Sequence, residues 1–248
     1  MWKKRHYNIY PSLLDGFAYM RSVEGSEEEQ QKAVQDFIDT INRVPRDPNY
    51  YLARGTALNV LVDGRACHVV PQHPVSYLDR GDEGGVYTVE IDTFSIAFAE
   101  ALVEQTANWV YAYTPQVYCE ADIEVQQGVV TLYGYADYVR DEEVVDLKTT
   151  KRYNPDSRDY SEHWQHRVYP YCLMKSGMVQ SVERFTYLVA EIAASKATDI
   201  VDGTLYREPY DITLLDCEKQ LREFLSYEFL PWLEEHRDLI IDTKIFND

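Results

Sequence analysis

Three residues near the middle of the chain have the types and spacing needed for metal-dependent hydrolysis. Asp146 and Lys148 lie two residues apart, and Asp137 precedes them by a short segment. Residues two apart in a strand project to the same side, so Asp146 and Lys148 would project together, with the Leu147 carbonyl between them. Asp137 would reach the same place if the preceding strand pairs alongside. Two carboxylates and a carbonyl suit Mg²⁺ or Mn²⁺, and a nearby lysine can orient a water or offset charge on a phosphorane-like transition state.

A purely structural interpretation of these residues is also open. An aspartate at a strand end often caps a turn, and an Asp-x-Lys pair on an exposed strand is often a surface ion pair worth about 0–1 kcal/mol. However, Asp146 follows Val144 and Val145 in a run that looks buried. A buried carboxylate is costly unless a cation or hydrogen bonds compensate it. The spacing alone leaves both interpretations standing.

The elements that must position these residues can be predicted from periodicity. Alternating apolar residues predict a strand over 117–125, a turn at 126–128 and a return strand over 130–139, followed by a short buried strand over 144–147. A helix is predicted from about Tyr160 to Ser176, with Pro170 inside it and Gly177 as its stop. A further strand is predicted over 185–190.

Helices are expected on both sides of this β region. A capping box at Ser26 and Glu29 starts one helix, whose apolar residues continue to Ile41. Others are predicted over 12–20, after Arg54, over about 93–107, and from about Asp216 until Pro231 kinks or breaks the last one. This order predicts an α/β fold with a mixed central sheet flanked by helices.

Composition limits the function classes. The 248 residues suggest one domain, and no apolar run approaches the roughly 20 residues that span a bilayer, so no membrane partner is expected. The formal charge of −18 argues against generic nucleic-acid binding, yet the segment 148–184 holds seven Lys or Arg and only four acids. The four scattered cysteines form no C-x-x-C pair, which favours reduced core cysteines in a cytoplasmic protein without an iron–sulfur cluster.

Taken in order along the chain, several segments resemble the PD-(D/E)XK nuclease superfamily, in its RecB-like or lambda-exonuclease-like branch. The glycine-x-x-Asp137 element and the apolar strand ending in Asp146-x-Lys148-Thr are similar to the core of that branch. Gln165 and Tyr169 match its Gln-x-x-x-Tyr element. The segments 11–17 and 54–57 resemble its opening Ser-x-Leu helix and the helix that normally carries a histidine ligand.

The resemblance implies a restriction-endonuclease-like mixed sheet in a single domain over 1–248. It implies that Asp137, Asp146 and the Leu147 carbonyl bind Mg²⁺ or Mn²⁺, and that Lys148 is the catalytic lysine. It also implies that Gln165 and Tyr169 position the nucleic-acid strand and the catalytic groups. The spacing agrees, because residues four apart share one helix face.

The chain departs from the family pattern at one position. The expected histidine falls on Asn59, whose amide oxygen can bind a hard cation but suits Mn²⁺ less well than an imidazole nitrogen. This puts metal affinity, or a second metal position, in question. Glu120 on the preceding strand could supply a further oxygen.

Basic residues follow the catalytic strand and could track a phosphate backbone. They are Lys151, Arg152, Arg158 and Arg167. Aromatic residues are interleaved with them, although Trp164 has helical spacing with Val168 and is expected in the core.

These observations together predict a Mg²⁺- or Mn²⁺-dependent deoxyribonuclease, with exonuclease action in recombination, repair or mobile-element DNA processing. A catalytically degenerate nuclease fold that binds or scaffolds is an alternative, favoured by Asn59 and by the net charge. A small-nucleotide phosphohydrolase is another. A helicase or annealing-protein partner and an oligomer are both compatible with the sequence.

Overall fold

The computed structural model describes residues 5–246, which build one mixed sheet of nine strands. The strands are β1 (Arg5–Ile9), β2 (Val75–Leu78), β3 (Val86–Ile91), β4 (Phe94–Ala99), β5 (Thr114–Val125), β6 (Gly128–Arg140), β7 (Glu143–Thr150), β8 (Arg184–Ala194) and β9 (Val201–Asp211). Their order in the sheet is β1-β6-β7-β8-β9-β4-β3-β2, with β5 on the other edge of β6. The predicted mixed sheet flanked by helices is confirmed.

Seven α-helices in the described part of the chain flank the sheet. They are α1 (Pro11–Ser22), α2 (Glu27–Ile41), α3 (Tyr50–Cys67), α4 (Glu100–Trp109), α5 (Gln165–Lys175), α6 (Leu214–Phe224) and α7 (Leu230–Glu235). The capping box predicted at Ser26 and Glu29 is present and starts α2. Asn49 and Thr213 cap α3 and α6 through their side-chain oxygens, which satisfy backbone amides left free at each helix start.

Strand β6 has three neighbours, and they leave part of one edge unpaired. β5 runs antiparallel along one edge of β6. On the opposite edge, β1 is parallel to the first part of β6 and ends at the Ile9–Leu132 pair, whereas β7 is antiparallel to its last part, from Arg140 back to the Tyr138–Val145 pair. Within the described chain this edge is therefore unpaired over residues 133–137, which we call the β6 gap.

The two faces of the sheet carry separate apolar cores. Helices α1, α2, α5, α6 and α7 cover one face, in which Phe17, Leu132 and Val168 are almost fully buried. Helices α3 and α4 cover the other face, around Leu58, Val103 and Leu188. Burial of this area is the main stabilising contribution to the fold.

One predicted helix is half wrong. Residues 94–99 of the expected helix over 93–107 form strand β4, which pairs with β3 after a turn at Asp92 that has a left-handed backbone (φ 51°). The alternating buried residues Ile96 and Phe98 satisfy the sheet, and α4 begins only at Glu100. The partner strand decided the conformation, because apolar runs of this length suit either element.

Other boundaries shift for local reasons. Helix α5 begins at Gln165 rather than near Tyr160, and Gly177 follows its end with a left-handed φ of 75° as predicted. The last helix divides in two, with a π turn over 225–229 before α7, and Pro231 follows this turn as the second residue of α7.

The four cysteines are free, as expected. Within residues 5–246, no helix combines the length and apolar character required to cross a bilayer.

Candidate nuclease active site

The end of the β6 gap holds Asp137. Pairing between β5 and β6 skips Gln116 and Asp137, and Gln116 has a left-handed backbone (φ 50°) at this point. The backbone N–H of Leu147 donates to Asp137 Oδ2 (3.1 Å), and Gln116 Nε2 lies 3.4 Å from Oδ1. Because the N–H and C=O of one residue leave a strand from the same edge, the Leu147 carbonyl also faces the gap beside Asp137.

Strand β7 supplies the second carboxylate and the lysine. Asp146 is 1% exposed, and its Oδ2 lies 2.5 Å from Lys148 Nζ. Its other oxygen, Oδ1, accepts a hydrogen bond from Gln165 Nε2 at 3.0 Å. The structure thus brings Asp137, Asp146, Lys148 and Gln165 together, as the sequence predicts for a joint site.

Electrostatics mark this cluster as short of positive charge. Burial first, and then the charge of Asp146, raise the pKa of Asp137 to about 7, although Lys148 and the Leu147 amide oppose the shift. Burial also raises the pKa of Asp146 against the attraction of Lys148. Burial alone would lower the pKa of Lys148, but the charges of Asp146 and Asp137 outweigh it and raise this pKa. Two carboxylates share one ammonium, and a further cation would relieve their repulsion.

Helix α5 brings Gln165 and Tyr169 to the site on one face. Tyr169 is buried, hydrogen-bonds Gln165, and packs against Gly134 of β6. A methyl group at position 134 would lie 3.0 Å from the Tyr169 ring, so the glycine allows this close approach. Tyr169 thus contacts Gln165, which in turn contacts Asp146 directly.

Asp15 of α1 fixes the start of α5, a role that sequence reasoning missed. Its Oδ1 accepts the backbone N–H of Trp164 (2.5 Å), and its Oδ2 lies 3.2 Å from His163 Nδ1. Its charge also acts on Asp146 and Lys148. The signal available in the sequence was its place in the Ser-x-Leu helix, next to Leu14.

Asn59 lies on α3, which covers the opposite face of the sheet from α5. Residues four apart share a helix face, and Gly55 and Asp63 flank Asn59 at that spacing. A methyl group on Gly55 would lie 3.0 Å from Thr149 Oγ1 of β7, and Asp63 accepts from Tyr138 of β6 at 2.6 Å. Asn59 therefore lies over the fork between β6 and β7, and its Oδ1 is buried without a hydrogen-bond partner.

These donors fit a hard divalent cation. They comprise two carboxylates in mutual repulsion, a carbonyl facing the gap, and an orphaned amide oxygen, and oxygen ligands suit Mg²⁺ or Mn²⁺. Among residues 5–246, no three His, Cys, Asp or Glu side chains are grouped as a metal cage. The set therefore depends on the carbonyl and the amide as well as the acids.

Glu120 lies away from this cluster. It is exposed on β5, pairs with Tyr133 four residues along β6 from Asp137, and accepts a hydrogen bond from Tyr118. In the described part of the chain, no hydrogen bond or ion pair joins it to Asp137, Asp146 or Lys148.

The four basic residues predicted to bind DNA are divided among three places. Lys151 and Arg152 are exposed just beyond β7, with the Lys151 ammonium 3.6 Å from the centre of the Tyr51 ring. Arg167 is half-buried and donates to the carbonyls of Ser161 and His163, so it holds the loop before α5.

Arg158 lies at the free edge of β9. It donates to the Pro209 carbonyl at 2.9 Å and lines a cavity of about 860 Å³. Trp164 belongs to the core, as expected, stacked on Phe224 at 4.0 Å.

Comparison with known proteins identifies a family. A family model described as "PD-(D/E)XK nuclease superfamily" matches residues 56–238. No curated protein matches the chain. One similar solved structure, "Crystal structure of SSO0001", is 11% identical, with a TM-score of 0.38, and the alignment covers 88% of this chain and 75% of that one. At that score the likeness supports no argument. On the family match over most of its length, the chain belongs to the PD-(D/E)XK nuclease superfamily.

Proposed function

We propose that this chain is a Mg²⁺- or Mn²⁺-dependent deoxyribonuclease of the RecB-like branch, acting as an exonuclease on DNA in recombination, repair or mobile-element processing. The observation that carries the proposal is the cluster of Asp137, Asp146, Lys148 and Gln165 at one end of the β6 gap. A structural ion pair would need one carboxylate, whereas this cluster holds two, and the Leu147 carbonyl faces the gap beside Asp137.

The reaction is hydrolysis of a phosphodiester. A water oxygen attacks the phosphorus in line, one P–O bond breaks, and the leaving oxygen takes up a proton. Asp137, Asp146 and the Leu147 carbonyl would hold the cation, with Asn59 as a further oxygen donor. When bound, Mg²⁺ or Mn²⁺ supplies Lewis-acid polarisation of the phosphate and lowers the pKa of water.

The remaining residues act by charge and position. A raised pKa keeps Lys148 an ammonium at neutral pH, which suits a role in offsetting negative charge as the phosphorus gains its fifth oxygen. Gln165 holds Asp146 in place, and Tyr169 supports Gln165. Lys151 and Arg152, both exposed beyond β7, are proposed to contact the phosphate backbone. A cytoplasmic location, a single domain over 1–248, an oligomer and a helicase or annealing-protein partner remain predictions.

A digestion time course tests the proposal. Linear DNA labelled at one end is incubated with Mg²⁺ or Mn²⁺, with and without chelator. We expect cation-dependent shortening from a strand end, abolished by chelator and reduced at least 100-fold by Asp146→Ala and by Lys148→Ala. Asp141→Asn is the control, because Asp141 lies on the adjoining turn with its side chain 90% exposed, and asparagine tolerates its left-handed φ of 49°.

Each failure has a distinct meaning. Activity that survives both Asp146→Ala and Lys148→Ala would remove the assigned mechanism. DNA binding without cleavage under any cation would favour a degenerate binding protein, an alternative that Asn59 at the usual histidine position supports. Hydrolysis of nucleotides but not of DNA would favour a small-nucleotide phosphohydrolase.

A further inference from the structure

A cavity lined by tyrosines adjoins the catalytic cluster. It measures about 490 Å³ and is lined by Tyr10, Pro11, Ser12, Tyr118, Tyr133, Gly134, Tyr135 and Tyr169. Two of its rings, Tyr118 and Tyr135, are 42% and 57% exposed, with centroids 5.2 Å apart. Large exposed aromatic side chains grouped in one concavity are typical of a binding site.

The β6 gap connects this cavity to the catalytic residues. Gly134 and Tyr135 occupy the unpaired edge of β6 and lie three and two residues before Asp137. At about 3.4 Å per residue, Gly134 is about 10 Å from Asp137 along the strand. Tyr169 lines the cavity and also hydrogen-bonds Gln165, which contacts Asp146. A nucleic-acid strand lying along the β6 gap would therefore contact both the tyrosine cavity and the catalytic cluster.

The side chains that line the cavity determine which part of a nucleic acid can bind in it. Among the described residues, no lysine, arginine or acid lines the cavity, so its wall offers a phosphate no charged side chain. The Tyr118 hydroxyl is bonded to Glu120, and the Tyr133 hydroxyl to Arg43, which fixes the rings and leaves their faces as the contact surface. Flat aromatic faces bind planar, uncharged groups by stacking.

We propose that this cavity holds an unstacked nucleobase of a single-stranded segment next to the scissile phosphate. The inference rests on the proposed nuclease function and deepens it by naming the substrate form. Bases within a duplex are paired and stacked, so each would have to be unpaired and unstacked, at a cost of about a few kcal/mol, before it could enter this cavity. The substrate is then a single strand or an unpaired end, read by stacking without sequence preference.

Binding in the Lys148→Ala background with Mg²⁺ present tests this inference without cleavage. Fluorescence anisotropy is recorded for a labelled single strand, for the same strand with abasic sites, and for the blunt duplex. Tyr118→Ala with Tyr135→Ala should weaken single-strand binding by about 5- to 150-fold and leave abasic-strand and duplex binding unchanged. Tyr19→Ala with Tyr227→Ala is the control, because these tyrosines are 72% and 74% exposed elsewhere.

Three outcomes would overturn the base-binding cavity. The first is single-strand binding by the Tyr118→Ala, Tyr135→Ala variant that is as tight as binding by the protein with the intact cavity. The second is an equal loss of affinity for the abasic strand, and the third is no single-strand binding by the protein with the intact cavity. Thermal melts of each double variant confirm that the fold is retained. A protein that shows the expected binding pattern but never cleaves DNA would instead contradict the proposed nuclease function.

Discussion

Replacing Asp137 with asparagine should stabilise the metal-free protein at alkaline pH, although it removes a proposed metal ligand. Burial and the neighbouring Asp146 raise the pKa of Asp137 from an ordinary value of 3.8 to about 7. Since the folded state binds this proton more tightly than the unfolded state, stability falls as pH rises from about 4 to about 7. At 1.36 kcal/mol per unit, the loss is about 2 kcal/mol at pH 5 and about 4 kcal/mol at pH 8.

The quantity to measure is the difference between the two proteins at two pH values. Urea unfolding with chelator gives the free energy of unfolding of the wild type and of Asp137→Asn at pH 5 and pH 8. The advantage of the variant should grow by about 2–3 kcal/mol between them, because any fixed difference between asparagine and a neutral aspartic acid cancels.

Two additions complete this experiment. Asp141→Asn is the control, since Asp141 is exposed and asparagine tolerates its left-handed φ of 49°. Millimolar Mn²⁺ should stabilise the wild type and not Asp137→Asn, because a ligand that binds only the folded state adds to stability. A variant whose advantage is the same at both pH values would refute the claim that Asp137 is held ionised at a cost.

Three further predictions concern residues packed around the site. His166 is 5% exposed, and burial lowers its pKa to about 3, so stability present above about pH 6.5 is lost as pH falls. In urea titrations, His166→Phe should therefore remove about 2 kcal/mol of stability loss between pH 8 and pH 5, and an unchanged dependence of the unfolding free energy on pH would contradict this. Gln165→Ala should lower kcat on DNA about 10- to 100-fold with little change in KM, since it removes a hydrogen bond to the buried Asp146. A variant with the kcat of the wild type would contradict a positioning role for Gln165. Asp15→Ala should cost about 1–3 kcal/mol in unfolding measurements by leaving the Trp164 N–H without its acceptor, and should also lower kcat; a stable variant of full activity would show that α5 is held by other contacts.

The catalytic strands could be predicted from the sequence because their signals are local. The alternation through β5 and β6, the turn between them and the buried run of β7 all follow the period-two rule, and they place Asp137, Asp146 and Lys148 correctly on adjacent strands. The family resemblance implied only that Gln165 positions catalytic groups, and the structure adds its 3.0 Å hydrogen bond to Asp146.

What the sequence did not reveal depends on partners distant along the chain. Residues 94–99 became a strand because β3 pairs with them, and β1 completes the sheet edge only because β6 passes beside it. Asp15 meets Trp164 across 149 residues, and the tyrosine cavity draws on four separate segments. Sequence spacing does not predict such contacts between distant segments. Arg158, for example, is close to Lys151 in sequence but lies at the edge of β9 in the structure.

The central claim is that Asp137, Asp146 and the Leu147 carbonyl share one divalent cation. The most direct measurement is an anomalous difference map from crystals of the protein soaked in Mn²⁺. We expect one strong peak at the fork of β6 and β7, within about 2.0–2.6 Å of oxygens from those three residues, and no peak there in Asp146→Ala crystals. A fully soaked wild-type crystal without that peak, or with manganese bound only elsewhere, would contradict the claim.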